Sequence, residues 1–477
     1  MTVRYIRVNP VADLFAPAVR AFGNIAIAGP VTPPGTPPGA PTAAAAAGTA
    51  LGIGVYRYAL TFVSPAGETE IGTEASVTTT AGNQAVNLTA IPTGPAGTTA
   101  RKLYRSAAGG AAGTTRFVAT VGDNTTTTFN DTLPDAGLGD EPPIARPNVP
   151  IAFTDPAEAG RRAVGPLGTA ISLAFAQSPG PTLVYGVRTA TGPDWAAALT
   201  IIGTLDVQFV VLANTPVNAG SAAGPNGAVF QLANHVASVS NTGGDGKERM
   251  GVAMLERSST NPGIVTGALA NERMVYIAHK SDQDAAAAVA GVIAGYEPHI
   301  SILLKPVNIT SDQFTPAEIA AINGNETFSS GPAGQGVNWL IDPLLIPGRG
   351  VHMGEGYTGN PGGKKFVDIV REVDDLAFRL KAQLIKTIGT LRISRSGLRS
   401  LIAQMEAVLQ PLVQNEVIEG FFITIPVLTL LDKDPNTLTP AELTQINNAQ
   451  AQRVVEVLIS VDYAGAIHRL SITLKFV

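Results

Sequence analysis

The side chains best suited to proton transfer or metal ligation in this chain are five histidines, His235, His279, His299, His352 and His468. No two of them fall in an HxxxH or HExxH pair, so a metal would have to be gathered from distant segments. Cysteine is absent, which removes thiolate metal sites, cysteine nucleophiles and disulfides. No GxSxG elbow occurs. Two Gly-Lys steps invite comparison with a phosphate loop, whose amides and lysine converge on an anion only at the spacing GxxxxGK[ST]. Gly363-Lys364 has Thr358 in place of the first glycine and Lys365 in place of the hydroxyl, and Gly246-Lys247 has Asn241 and Glu248 there. Both fail twice and read as surface or interface loops. Glu372, Asp374 and Asp375 could pair as acid and base, yet they share a helical pattern with Arg371, Arg379 and Lys381 and read as a solvated or interface charge pattern. The expectation is a protein that is not an enzyme, with no catalytic residue, no cofactor and no metal.

The elements that carry these residues belong to a long chain with little charge. Its 477 residues exceed one ordinary core and imply two to four domains. Charged residues make up 14% and hydrophobic residues 45%, a surface so poor in charge that it must be hidden in a membrane or against other copies. The membrane is excluded by interruptions: 198–213 contains Asp206, and 285–304 contains Glu297, Pro298 and His299. The first residues lack the apolar stretch of a secretory signal. A soluble protein kept in a cytoplasm is expected. A net charge of −5 argues against nucleic acid as a partner.

Along the chain, the fold class reads as α/β and α+β, multidomain. Residues 1–28 are an N-terminal arm and a first core strand (Asn24 to Ala28), and residues 29–50 are a Pro- and Ala-rich linker, with six prolines between Pro30 and Pro41 forming an extended spacer. Residues 51–147 are Thr- and Gly-rich short alternating runs between turns, the pattern of an inserted all-β Ig-like sandwich. Residues 148–330 alternate helix and apolar strand, which predicts a largely parallel sheet covered on both faces. Residues 331–477 form a C-terminal α+β assembly domain, with helices over Phe366 to Ile388 and Ser396 to Glu416. Thr315-Pro316 with Glu318 and Thr439-Pro440 with Glu442 are two capping boxes.

The ends of the chain are both strand-like. Leu470, Ile472, Leu474 and Phe476 alternate with polar residues to the final position, and Val455, Val457, Ile459 and Val461 do the same before the turn residues 462–465. Thr2 to Val8, with Val3, Tyr5, Ile6 and Val8, is a short β-forming run. The C-terminal strand is either one arm of a hairpin on its own domain or a strand lent to another subunit.

The order of pieces resembles the contractile tail sheath proteins of phages and phage-like injection systems. The resemblance rests on Asn24 to Gly29, Pro150 to Thr154 followed by Glu158-Ala159, Leu183 to Arg188, the alanine-rich Ala286 to Gly295 with Pro298 and Lys305-Pro306, the glycine-rich loop before Phe366, and the ending Val455 to Ile459 with Ile472 to Leu474. It covers roughly 1–30 and 148–477, so the Ig-like module is an insertion into the sheath core. It implies a structural subunit that polymerises as helical, hexameric rings around an inner tail tube protein and contracts to drive the tube through a cell envelope. Baseplate and tail terminator proteins are the other implied partners, and the location is host cytoplasm during assembly and then the tail of a virion or phage-like particle. A tail-surface or adhesin-like protein whose module binds glycan is the alternative. The arms at both ends are expected to link neighbouring subunits. Lys364, Lys365, Arg371, Arg379 and Lys381 are expected to present a basic surface to the tube or to a neighbour.

Overall fold

In a computed structural model, residues 23–144, 146–190, 194–241, 247–325, 334–347, 350–363 and 365–468 are described. The N-terminal arm residues Val3, Tyr5, Ile6 and Val8, the C-terminal arm residues Leu470, Ile472, Leu474 and Phe476, and Lys364 lie outside them.

Strand β1 (Ile25–Gly29) sits inside the main sheet and is buried along its whole length. Alternation divides its side chains between two cores. Ile25 and Ile27 join one cluster, and Ala26 and Ala28 the other.

From the end of β1 the chain leaves the sheet to build an all-β unit: β2 (Thr42–Ala46), β3 (Gly54–Ser64), β4 (Gly67–Glu68), β5 (Ala75–Thr79), β6 (Ala85–Thr89), β7 (Ala100–Arg105), β8 (Arg116–Val121) and β9 (Phe129–Asp131). Strands β2, β6 and β9 form one antiparallel sheet, and β4, β3, β7 and β8, with β5 on β3, form another. Tyr58, Leu60, Val86, Leu88 and Leu103 pack a core that both sheets share. Beneath it Arg105 pairs with Asp131 at 2.7 Å, and the Tyr58 hydroxyl donates to the same carboxylate at 2.7 Å, so each buried charge has its partner.

The chain re-enters the main sheet with β10 (Pro150–Phe153), followed by α1 (Pro156–Arg162), α2 (Pro166–Phe175), β11 (Val184–Arg188), α3 (Trp195–Ile202), β12 (Phe209–Leu212), α4 (Ala228–Ser240), β13 (Met250–Met254), β14 (Met274–Ala278), α5 (Ala285–Gly295), α6 (Pro316–Asn323), β15 (Asn338–Ile341) and β16 (His352–Met353). The strand order is β10-β11-β1-β12-β13-β14-β15-β16, parallel from β11 to β15, with antiparallel β10 and β16 at the edges. Helix α5 is apolar all round and buried from Ala285 to Ala294, as such a helix must be. Asp284 caps it by accepting from the Ala287 N–H. A Cβ at Gly291 would meet the Ala174 carbonyl oxygen at 2.4 Å, so glycine is what lets α5 cross α2 this closely.

The last part comprises α7 (Val367–Leu384), α8 (Arg395–Gln414), β17 (Ile418–Thr424), α9 (Pro426–Leu431), α10 (Pro440–Gln452) and β18 (Leu458–Tyr463). Both capping boxes form, at Thr315 with Glu318 and at Thr439 with Glu442.

Three expectations are corrected. The alanines placed in the linker are strand β2, whose backbone pairs with β6. The prolines do not form a free spacer either: their carbonyls still accept, from Leu167 N–H to Pro30 at 3.2 Å and from Thr73 N–H to Pro38 at 3.1 Å. The segment lies docked along its neighbours, and Arg188 on β11 holds Glu70 of the insert through two bonds of 2.6 and 2.8 Å. Finally, β15 and β16, assigned from sequence to the C-terminal domain, complete the main sheet, because Ile277 and Ala278 pair with Asn338 and Trp339. The long helix expected to reach Ile388 is α-helical to Leu384 and continues as a 3-10 turn over Ile385–Thr387.

The Arg188 guanidinium is nearly buried, so removing its carboxylate leaves a charge poorly solvated. Glu70→Ala is expected to destabilise the chain by about 2–4 kcal/mol, read as a lower midpoint in denaturant melts together with faster proteolysis between the insert and β11.

Candidate inter-subunit surface

Two strands, β17 and β18, pair only with each other among the described residues, from Ile418↔Tyr463 to Thr424↔Leu458 with an irregularity at Gly420. Alternation gives the pair an inner face. Ile418, Ile423, Ile459 and Val461 pack on Leu409 and Leu412 of α8 and on Leu376 and Leu380 of α7. The opposite face carries Phe422, 70% exposed, with Leu458 also open. A two-stranded ribbon is marginal alone and here depends on the helices beneath it. Both of its outer edges carry backbone donors and acceptors that no third described strand takes up.

The period-two reading of 455–461 survives in β18, where 459 and 461 point inward and 458, 460 and 462 outward. Its partner among the described residues is Ile418–Thr424, a run for which the sequence predicts no element. Glu419 and Gly420 interrupt the apolar pattern there, which hides the strand.

Beyond β18 the chain returns to the main body. His468 sets Nδ1 3.1 Å from a Glu355 carboxylate oxygen and Nε2 2.9 Å from the Ser301 hydroxyl, with its ring edge-on to Phe366 at 4.8 Å. The segment after β18 is therefore held against the main body at His468. The other histidines serve locally. His235, on α4 beside the end of α3, has its pKa pushed down to about 4 by burial and then Arg249, which keeps it neutral. His279 sits 3.0 Å from the Leu255 carbonyl and accepts from the Ser281 N–H, and His352 lies 2.9 Å from the Gly350 carbonyl. Among the described residues no group of acids and histidines is arranged to hold a metal ion, and no helix is long and apolar enough to cross a membrane.

The basic residues singled out on α7 do not share one face. Arg371 is only 6% exposed and donates to the carbonyls of Tyr296 and Glu297, with its guanidinium over Phe209. Burial lowers its pKa to about 10, and it stays cationic. A solvated or partner-facing role for Arg371 is thus corrected: its charge offsets the dipoles of a loop end inside the fold. Arg379 pairs one turn back with Asp375 at 2.7 Å, and Lys381 crosses to Glu248 at 2.7 Å. Lys365 lies over the Tyr357 ring. Glu372 is likewise buried rather than solvated, as is Asp368, and Asp374 binds Arg273. Val373, on the same helix, is exposed.

No family model matches the chain, and no curated protein matches it by sequence. Among solved structures it is similar to a chain of the anti-feeding prophage baseplate, at 15% identity over 69% of this chain and 88% of that one, with a TM-score of 0.48. It is also similar to a chain of the anti-feeding prophage helical sheath in its contracted state, at 14% identity over 69% and 88%, TM-score 0.47. A third is a chain of the contracted PVC sheath complex of an extracellular contractile injection system, at 14% identity over 70% and 87%, TM-score 0.47.

The two faces of the ribbon should respond differently to substitution. Ile418→Ala removes a buried anchor and is expected to cost about 2–5 kcal/mol. Phe422→Ser should change the stability of the isolated chain by no more than about 0.5 kcal/mol. Denaturant melts of the two variants check both.

Proposed function

We propose that this chain is the structural subunit of a contractile tail sheath, stacking as hexameric rings around an inner tube and shortening to drive that tube through a cell envelope. The observation that carries the reading is the two-edged ribbon β17–β18, in a chain whose two ends are both β-forming runs. Two open edges and two lendable strands match in number. A lattice that exchanges its lateral contacts needs some contacts that persist, and backbone pairing persists while bodies rotate about connecting segments. Each added hydrogen bond contributes about 0.5–1.5 kcal/mol net. A lent strand also buries Leu470, Ile472, Leu474 and Phe476, at roughly 1.5–3 kcal/mol for each side chain fully covered. The cost of ordering the arm offsets part of this sum. The sparse charge of the chain suits a protein that hides its surface against copies of itself.

In this reading the all-β insert rides outward and is dispensable. Its two ends meet across one strand: Gly29 pairs with Arg188 of β11, and Pro147 bridges the same residue from the other side. Two strand spacings separate them, about 10 Å. Lys364 and Lys365, before α7, remain the basic residues offered to the tube or to a neighbour.

Electron microscopy of the purified chain tests the reading, with helical tubes expected. Deleting residues 470–477, or 1–8, should leave a folded monomer that forms no tubes, and a double deletion that still polymerises would overturn the arm exchange. Joining Gly29 to Asn148 through a four-residue linker, with Arg188→Met to remove the charge that Glu70 served, should still give tubes of smaller outer diameter. Monomers or amorphous aggregate from that variant would place the insert within the lattice.

A further inference from the structure

Helix α7 begins beneath the joint between the main sheet and the C-terminal ribbon, and its first turns carry Asp368, Glu372 and Asp375 at i, i+4 and i+7, on one face. Like charges at this spacing repel, and burial amplifies the repulsion. Asp368 is 4% exposed and Glu372 8% exposed. From β18, the Tyr463 hydroxyl donates to Asp368 at 2.8 Å. Glu372 has no such neighbour for its Oε2 atom, which is buried without a hydrogen-bond partner.

Among the described residues, no cation around this face forms an ion pair with Asp368 or Glu372. Arg371, on the helix itself, points to the carbonyls that follow α5. Arg273, entering β14, binds both oxygens of Asp374, while Arg379 takes Asp375 and Lys381 takes Glu248 from the approach to β13. A metal would relieve the acids, but no metal-holding group occurs among the described residues. A proton relieves them without any further ligand.

We propose that Glu372 is a proton-binding residue whose ionisation loosens the joint between α7 and the β17–β18 ribbon. With the carboxyl neutral, the acidic face carries one charge fewer and β18 packs down through Tyr463. Ionised, Glu372 adds a second buried negative charge beside Asp368, beneath the same strand. The energetics agree with the geometry: burial, then Asp368, then Asp375 push the Glu372 pKa up to about 7. Burial and then Asp368 raise Tyr463 as well, so the phenol remains a donor throughout the range concerned. A carboxyl raised in the folded state binds its proton more tightly folded than unfolded. Its contribution therefore favours the packed joint below the ordinary carboxylate range and is lost progressively as pH rises toward about 7. This is a property of the single folded chain and stands apart from its assembly.

Hydrogen exchange of the full chain, corrected for the intrinsic pH dependence of amide exchange, reads the joint directly. Between about pH 5.5 and about pH 8, amides of β18 and the first half of α7 should open more often by roughly tenfold or more, while those of β12 and β13 keep their protection. Glu372→Gln should abolish that difference, and Asp368→Asn, which removes a like charge yet can still accept from Tyr463, should move the midpoint to lower pH. A wild-type joint whose opening is indifferent to pH, or a Gln variant retaining the full wild-type difference, would overturn the proposal. Should the Gln variant not fold, the Asp368→Asn midpoint decides: a downward shift supports the assignment of Glu372, and an unchanged midpoint defeats it.

Discussion

The fold depends on β1 being buried on both faces and both edges. A parallel strand in that position must present apolar side chains alternately to two cores and must find a backbone partner on each side, which β11 and β12 supply. The asymmetry of its sequence then sets the packing around it. Isoleucines face α2 and α5, and alanines face α3 and α4. Because β1 is central, an insertion at its C-terminal end can leave the sheet and return at the β10 edge without disturbing the strands that follow. The insert is nonetheless fastened, through Arg188 and Glu70, to the strand lying between its two ends.

Charge is used sparingly, and several of its ion pairs join bodies. Arg188 ties the insert to the sheet, Arg273 and Glu248 tie α7 to the approaches of β14 and β13, and His468 ties the segment after β18 to Ser301 and Glu355. Pairs of this kind contribute little net stability against an apolar alternative, since each charge loses its hydration. Their effect is on geometry, because an ion pair tolerates only a narrow range of placements. The acidic face of α7 differs, since Asp368 and Glu372 are buried there together with one Glu372 oxygen left without a partner, and it lies where the C-terminal ribbon meets the rest of the chain.

That ribbon contrasts with the main sheet. The sheet ends on short antiparallel edge strands, β10 and β16, whereas in β17–β18 both of the longer strands are edges among the described residues. Open edges next to exposed Phe422 and Leu458 are a liability for an isolated protein and an asset for one that pairs with others.

Local signals in the sequence determined a good deal. Short apolar runs marked β1, β12, β13 and β14, a period-two run marked β18, and two capping boxes located the starts of α6 and α10, because these follow from interactions spanning a few residues. Tertiary structure decided what depends on residues far apart in the chain. The Ala run of β2 looks like linker until β6 pairs with it, and β17 is masked by Glu419 and Gly420 until β18 supplies its register. Arg188 and Glu70 are 118 positions apart. The charges of α7 give the plainest case, since Arg371, Glu372 and Arg379 follow a pattern that a solvated helix would share. Whether such a charge meets water, a carbonyl or another carboxylate is set by the elements packed over it, and a helical period specifies which side chains share a face but not what covers that face.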